Sequence, residues 1–341
     1  MVELRYRDPL LALRVCRSVF CRAEARGDKQ AALHALFLAW ANLYNSSQRT
    51  LADRVFAIVR ERARGVGASQ VSARIALADA KQLSEQGEHA QAMVVRQHAL
   101  DLAMALGDNR VIFFALGGLA GSAAEAGESG LVLSLCAQQE PLLTDEEPVI
   151  VGAYFHRADL MACAWIQIAH GHEIEGERTA ARSALELARA LALYACDKTN
   201  NDREALHCLE TLVQSLLLLN EAAEARAQVA RCVASLAAMP TVGSELWCVL
   251  ELARARIDVH EGGVGVQTLK TLQAIEESVL QTASDVQLLI GEVRLVLQRA
   301  QEQLGHHEQA LSSHKRATQW HVNRHSAQSR RMPRNARVTR P

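Results

Sequence analysis

The sequence predicts an all-α fold, a solenoid of stacked helical hairpins, and three observations predict it. Alanine and leucine supply 57 and 46 of the 341 residues while aromatics are 4%, so strong helix formers dominate and the residues that sheets favour are scarce. The six prolines stand at 9, 141, 148, 240, 333 and 341, which leaves long stretches in which helices can run unbroken. Small or polar turns recur at a near-constant spacing. Anchored at 47, 87, 127, 176, 220, 263 and 305, they lie 40, 40, 49, 44, 43 and 42 residues apart, the period of a helical repeat array. Such an array grows without enlarging one core, so its length needs no division into globular domains.

The elements, some fifteen helices, follow in order. Residues 1–28 form an N-terminal cap whose helix occupies about 9–26 and ends at Arg26-Gly27-Asp28. Seven hairpins fill 29–331, near 29–64, 68–106, 108–141, 148–195, 200–239, 242–281 and 283–331, and 332–341 is a basic disordered tail. The turns are Asn45-Ser46-Ser47, Gln86-Gly87-Glu88, Ala126-Gly127-Glu128, Glu175-Gly176-Glu177, Leu219-Asn220-Glu221, Gly262-Gly263 and Leu304-Gly305-His306. Pro141 and Pro148 bracket an acidic connection, Pro240 closes a helix, and Pro333 ends the last one.

Five turns share a finer rule: a turn residue, a small residue five later, and another twelve later. Gly27 is followed by Ala32 and Ala39, Gly87 by Ala92 and Ala99, Gly176 by Ala181 and Ala188, Asn220 by Ala225 and Cys232, and Gly305 by Ala310 and Ala317. Small residues seven apart share one helix face, where two helices approach closely. This pattern resembles the tetratricopeptide repeat, most clearly in QGEHAQAMVVRQHALDLAMA at 86–105, with Ala80 and Leu83 in the preceding helix and Trp165, Ile168 and Ala169 repeating the first-helix pattern. Val132 and Thr268 replace the alanine in two degenerate copies. The resemblance implies a right-handed superhelix whose first helices line a concave face. The long period is similar to that of repeat regions attached to bacterial diguanylate cyclases and maltose-regulator-type activators.

Carried over position by position, the resemblance implies groove residues His34, Tyr44, Arg74, Lys81, His207, Glu210, Gln214, Glu292, Arg299 and Glu302. Each equally fits the solvent face of an amphipathic helix. In the last hairpin the segment 304–332 starts as a repeat helix and runs past its normal length, as the last repeat helix of repeat-linked cyclases extends into an arginine-rich connecting helix. The Gly-Gly-Asp/Glu-Glu-Phe motif of the cyclase domain is absent, so no catalytic residue is carried over. No acid follows Glu308, whereas Lys315, Arg316, Arg324, Arg330, Arg331, Arg334, Arg337 and Arg340 add eight positive charges. The rest carries −9 within a net charge of −1. A basic end can meet nucleic acid, acidic lipid or an acidic protein surface, or remain a solvated terminus. Trp320 alone offers a base-stacking ring there, so nucleic acid is not the expected partner.

Other constellations reduce to structure. His321 and His325, four apart with His314 on nearly the same face, form a weak metal pair without a visible third ligand. His170-Gly171-His172-Glu173 reads as a helix C-terminal cap, and Gly117-Gly118-x-x-Gly121 as close helix packing, since the lysine of a phosphate loop is missing. Tyr154-Phe155-His156-Arg157-Ala158-Asp159 only superficially resembles a kinase catalytic loop. The eight cysteines show no C-x-x-C spacing and read as buried thiols in a reducing compartment. The apolar runs at 111–120 and 216–219 are too short to span a bilayer, and Glu3, Arg5, Arg7, Asp8 and Arg14 interrupt any signal peptide. The expectation is a cytoplasmic, non-enzymatic scaffold in bacterial signalling, without cofactor or membrane insertion, binding a protein or peptide in its groove. A small-molecule- or peptide-responsive regulator of a transcription factor, and a truncated cyclase sensor, remain open, as does the oligomeric state.

Overall fold

Helical propensity and proline placement give what they predict. A computed structural model describes residues 9–45, 48–85, 88–142, 151–198, 202–237, 244–281 and 290–329, and among them the secondary structure is α-helical with one 3₁₀ turn and no strand. The helices are α1 Pro9–Ala25, α2 Lys29–Asn45, α3 Arg49–Ala63, α4 Gln70–Glu85, α5 His89–Leu106, α6 Asn109–Glu125, α7 Ser129–Gln139, α8 Val151–Ile174, α9 Arg178–Lys198, α10 Asp202–Leu218, α11 Ala222–Ala237, α12 Ser244–His260, α13 Val266–Gln281, α14 Ile290–Gln303 and α15 His307–Ser329. The expected tail at 332–341 lies outside the described residues. None of the described helices is long and apolar enough to cross a membrane.

The turns follow from helix-end chemistry. After α5, Gly107 takes φ +63°, and the Asp108 N–H donates to the Ala103 carbonyl at 3.1 Å. The Asp108 carboxylate then accepts from the Val111 N–H at 3.1 Å, capping α6. Gly27-Asp28 repeats this between α1 and α2, with Ala31 N–H donating to Asp28 at 3.0 Å. The glycine supplies the left-handed residue and the aspartate satisfies a free N–H of the next helix. Asn220 does the glycine's work at φ 62°, the one non-glycine residue of positive φ among the described residues.

The small residues at the fixed offsets stand where second helices press on neighbours. Ala92, Ala99, Ala188, Ala225 and Ala317 are fully buried, as is Val132 in a degenerate copy. Ala39 is half-buried instead, and Trp40 next to it enters the core. Gly118 lies against Arg96 of α5, whose Nε would stand 3.2 Å from an added Cβ, whereas Gly121 faces open space. Close packing therefore explains the first of these glycines only.

The chain divides into two compact units, 1–119 and 120–341. In the first, Trp40, Leu43, Tyr44, Phe56, Val59 and Ile75 build a core across α2, α3 and α4, with Trp40 stacked against Phe56 at 4.8 Å. In the second, one core runs through α8 to α12 around Leu209, Leu212 and Val213, and another through α12 to α14 around Leu272 and Ile275, with Trp320 of α15 packed on it. Arginines tie hairpin to hairpin. Arg60 of α3 pairs with Asp79 of α4. Arg189 of α9 reaches Glu221 before α11 at 2.8 Å, and Arg226 of α11 pairs with Glu261 after α12.

Candidate functional site

In the second unit the first helices of successive hairpins, α8, α10, α12 and α14, carry an ionisable network set in an alanine–leucine surround. Arg256 of α12 is its centre. Its Nη2 lies 2.6 Å from Oε1 of Glu210 on α10 and 2.7 Å from Oε2 of Glu292 on α14. The Arg256 and Glu210 side chains are each 12% exposed and that of Glu292 37%, so the network is closed at α10 and open at α14. Asp159 and Cys163, one turn apart on α8, complete it. The Thr211 hydroxyl bonds Asp159 and stands 3.6 Å from the Cys163 thiol. The shielded Oδ1 of Asp159 and Nε of Arg256 have no hydrogen-bond partner among the described residues.

The electrostatics follow from burial with too little positive charge. Burial pushes the Asp159 carboxyl up to about 7. The Thr211 hydrogen bond opposes this, and the Glu210 charge adds to it. Glu210 is raised by burial in spite of Arg256. For Arg256, burial works against the charge and Glu210 with Glu292 outweigh it, so the guanidinium is held. Burial and then Asp159 push the Cys163 thiol far up, leaving it a protonated, unreactive sulfhydryl. The network thus offers carboxyls, one guanidinium and a neutral thiol, groups that can bind and orient a ligand.

The sequence reasoning reached Glu210 and Glu292, which the structure brings together through Arg256. Asp159, Cys163 and Arg256 it did not reach. The available signal was an ionisable residue between apolar ones on a first helix, as in Ala158-Asp159-Leu160 and Ala255-Arg256-Ile257. Gln214 is half-buried on the same helix as Glu210, and the His207 side chain lies outside the described residues. Arg299 and Glu302 of α14 are exposed, Glu302 accepting from Gln298 at 2.9 Å.

In the first unit, His34 is half-buried and its imidazole is held below its ordinary value by burial and by the charges of Arg74 and Arg110. Tyr44 is 8% exposed, packed on Trp40, and Lys81 covers its ring with Nζ 4.9 Å from the centroid. That pair serves the core. Of the basic patch, Lys315 and Arg316 are both exposed, and Arg316 also shares the buried Glu276 with Arg294, at 2.9 and 2.8 Å. Arg316 is therefore anchored to α13 while its side chain stays open to solvent. Arg330, Arg331 and Arg334 lie outside the described residues, as do the side chains of Arg324, His321 and His325. His314 is hydrogen-bonded to Gln298 at 3.0 Å.

A cleft of about 660 Å³ opens elsewhere, between α9, α10 and α11, lined by Arg189, Leu193, Leu212 and Glu221. Arg189 and Glu221 on its walls pair with each other, so the candidate site is placed at the buried network instead. All eight cysteines are free thiols. Six are buried, Cys163 is half-buried and Cys21 is exposed, which corrects the expectation of burial at that position.

The chain shares the fold of helical repeat proteins. It superposes on the crystal structure of a Rap protein complexed with Competence and Sporulation Factor at a TM-score of 0.58, over 93% of this chain and 86% of that one, at 14% identity. A circular tandem repeat protein of novel repeat topology aligns over 94% and 90% at 15% identity, with a TM-score of 0.28. No family model and no curated protein matches the chain.

Proposed function

We propose that the chain is a non-enzymatic helical-repeat scaffold that binds a peptide or protein segment over α8, α10, α12 and α14 and acts in bacterial signalling or regulation. The observation that carries this reading is the network of Asp159, Glu210, Arg256 and Glu292. A stack of alanine and leucine helices has no need of it for stability, since buried ion pairs contribute little net folding energy and apolar replacements are often neutral or better. Glu210 and Glu292 stand against one guanidinium while the neighbouring Asp159 carboxyl is held protonated up to about pH 7, so the network carries one negative charge in excess, and Glu292 gives it an open side. A ligand bearing a cationic group complements that surplus. The Rap protein of similar fold was solved with a bound factor, which fits a ligand-carrying use of this architecture.

The test is a display library of short random peptides panned against the full chain, with enriched sequences synthesised and titrated by calorimetry. The expected result is enrichment of peptides containing Lys or Arg whose binding weakens at least about tenfold in E292Q, corresponding to loss of one charge-assisted contact. Peptides that bind E292Q and E210Q as tightly as the parent chain would overturn the proposal, as would a library yielding no enrichment.

A further inference from the structure

A second cluster lies at the opposite end of α8, where the helix turns into α9. We propose that His172, Glu175 and Glu177 form a binding site for one divalent transition-metal cation of the zinc class. One ligand atom from each, the imidazole nitrogen and two carboxylate oxygens, falls within 4.8 Å of the others. Tetrahedral zinc with bonds of about 2.0–2.1 Å separates its ligand atoms by roughly 3.4 Å, so closure needs only small rotations of side chains that stand in solvent.

The backbone fixes the three positions relative to one another. The Glu177 N–H donates to the His172 carbonyl at 2.8 Å, the Glu175 N–H to Gly171 at 3.1 Å, and the Ala181 N–H to Glu177 at 3.0 Å. The last turn of α8 and the first of α9 are thereby locked through Gly176. His172 Nδ1 already meets Glu177 Oε2 at 2.7 Å, so the cation would take the place of the shared proton.

The charge of the turn points the same way. Glu173, Glu175 and Glu177 crowd into five residues, His170 lies 3.6 Å from Glu173, and among the described residues neither Glu175 nor the adjacent Arg178 makes an ion pair. Carboxylates and imidazoles are concentrated there, and the one neighbouring cation, Arg178, pairs with none of them among the described residues. One nitrogen with two oxygens suits zinc and its neighbours, which accept mixed N/O donors at low coordination number. Calcium requires six to eight oxygens. Three protein ligands leave a fourth position for water or for a group from a partner.

The test is a calorimetric titration of the full chain, stripped by chelator and kept reduced, with Zn²⁺ alone. Three variants accompany the parent: H172A, E177Q and the control H321A/H325A, which removes the other histidine pair. His172 and Glu177 side chains are 32% and 55% exposed, so their replacement leaves the core intact, which circular dichroism at 222 nm confirms. The expected result is one equivalent bound, at least about tenfold weaker in H172A and E177Q, and unchanged in H321A/H325A. Absence of binding, binding in H172A equal to the parent, or loss confined to H321A/H325A would each overturn the assignment.

Discussion

Asp159 makes the stability of the second unit fall as pH rises, and D159N removes that dependence. An exposed aspartate titrates at 3.8, whereas burial holds this carboxyl near about 7 in the folded chain. Below 3.8 both folded and unfolded chains carry the proton and nothing is lost. Between the two values the unfolded chain ionises while the folded one does not, and stability declines until about pH 7. A gap of about three pH units, at about 1.4 kcal/mol each, sets a ceiling of about 4 kcal/mol. Asparagine is nearly isosteric, stays neutral, and still accepts from Thr211. D159N should therefore exceed the parent by up to about 4 kcal/mol at pH 8 and by only about 1 kcal/mol at pH 4.5. Urea unfolding followed at 222 nm at those two pH values reads the difference directly. A stability gain that does not change with pH, or a less stable D159N at pH 8, refutes a neutral buried carboxyl at this position.

Three further outcomes follow. R256M leaves Glu210 buried without its counter-ion and should destabilise the chain by about 3 kcal/mol, read as a lowered urea midpoint; R256M/E210Q should recover much of that loss, and a double variant no better than the single would contradict the pairing. G176A places a side chain at φ +80° and should lower stability by about 1–2 kcal/mol, whereas N220G, at a similar φ, should be neutral or stabilising in the same thermal melt. In native buffer a thiol reagent should modify Cys21 quickly and the other seven slowly, because Cys21 alone is exposed and burial keeps Cys163 and Cys136 protonated, Cys136 at about 11; peptide mapping after a short pulse checks this.

The repeat was legible because it is local. A turn residue and two small residues at fixed offsets lie within thirteen positions, and helix geometry alone places them on one face; the burial of Ala92, Ala99, Ala225 and Ala317 follows. At the first copy the offset did not mark a buried position: Ala39 is half-buried, and Trp40 beside it is the core residue. The site was legible only in part because its partners sit in different hairpins. Leu252-Ala253-Arg254-Ala255-Arg256-Ile257 offers two arginines of the same local pattern. Arg254 is 44% exposed beside Glu251, while Arg256 is 12% exposed between Glu210 and Glu292. Two residues along a helix amount to roughly 200° of rotation, and which of the two faces looks inward is set by the neighbouring hairpins. The pairing of the exposed Arg316 with Glu276 of α13 was hidden for the same reason, the two lying forty residues apart in different helices.

The arginines that join consecutive hairpins carry an evolutionary consequence. Tandem repeats usually change length by duplication, loss or exchange of modules, which works when every module meets its neighbour through the same apolar contacts. Here Arg189 needs the acid that precedes α11, Arg226 the one that follows α12, and Arg256 one acid on each side. Two of these pairings join a second-helix arginine to the turn acid of the next hairpin, and that of Arg256 alone among the three joins first helices. A duplicated or transposed copy would leave Arg256 or Glu210 shielded from water without its partner at a seam, whereas the exposed pairs would lose little, so it is the Arg256 network that disfavours reordering the hairpins from α10 to α14 even where their alanine frameworks are interchangeable.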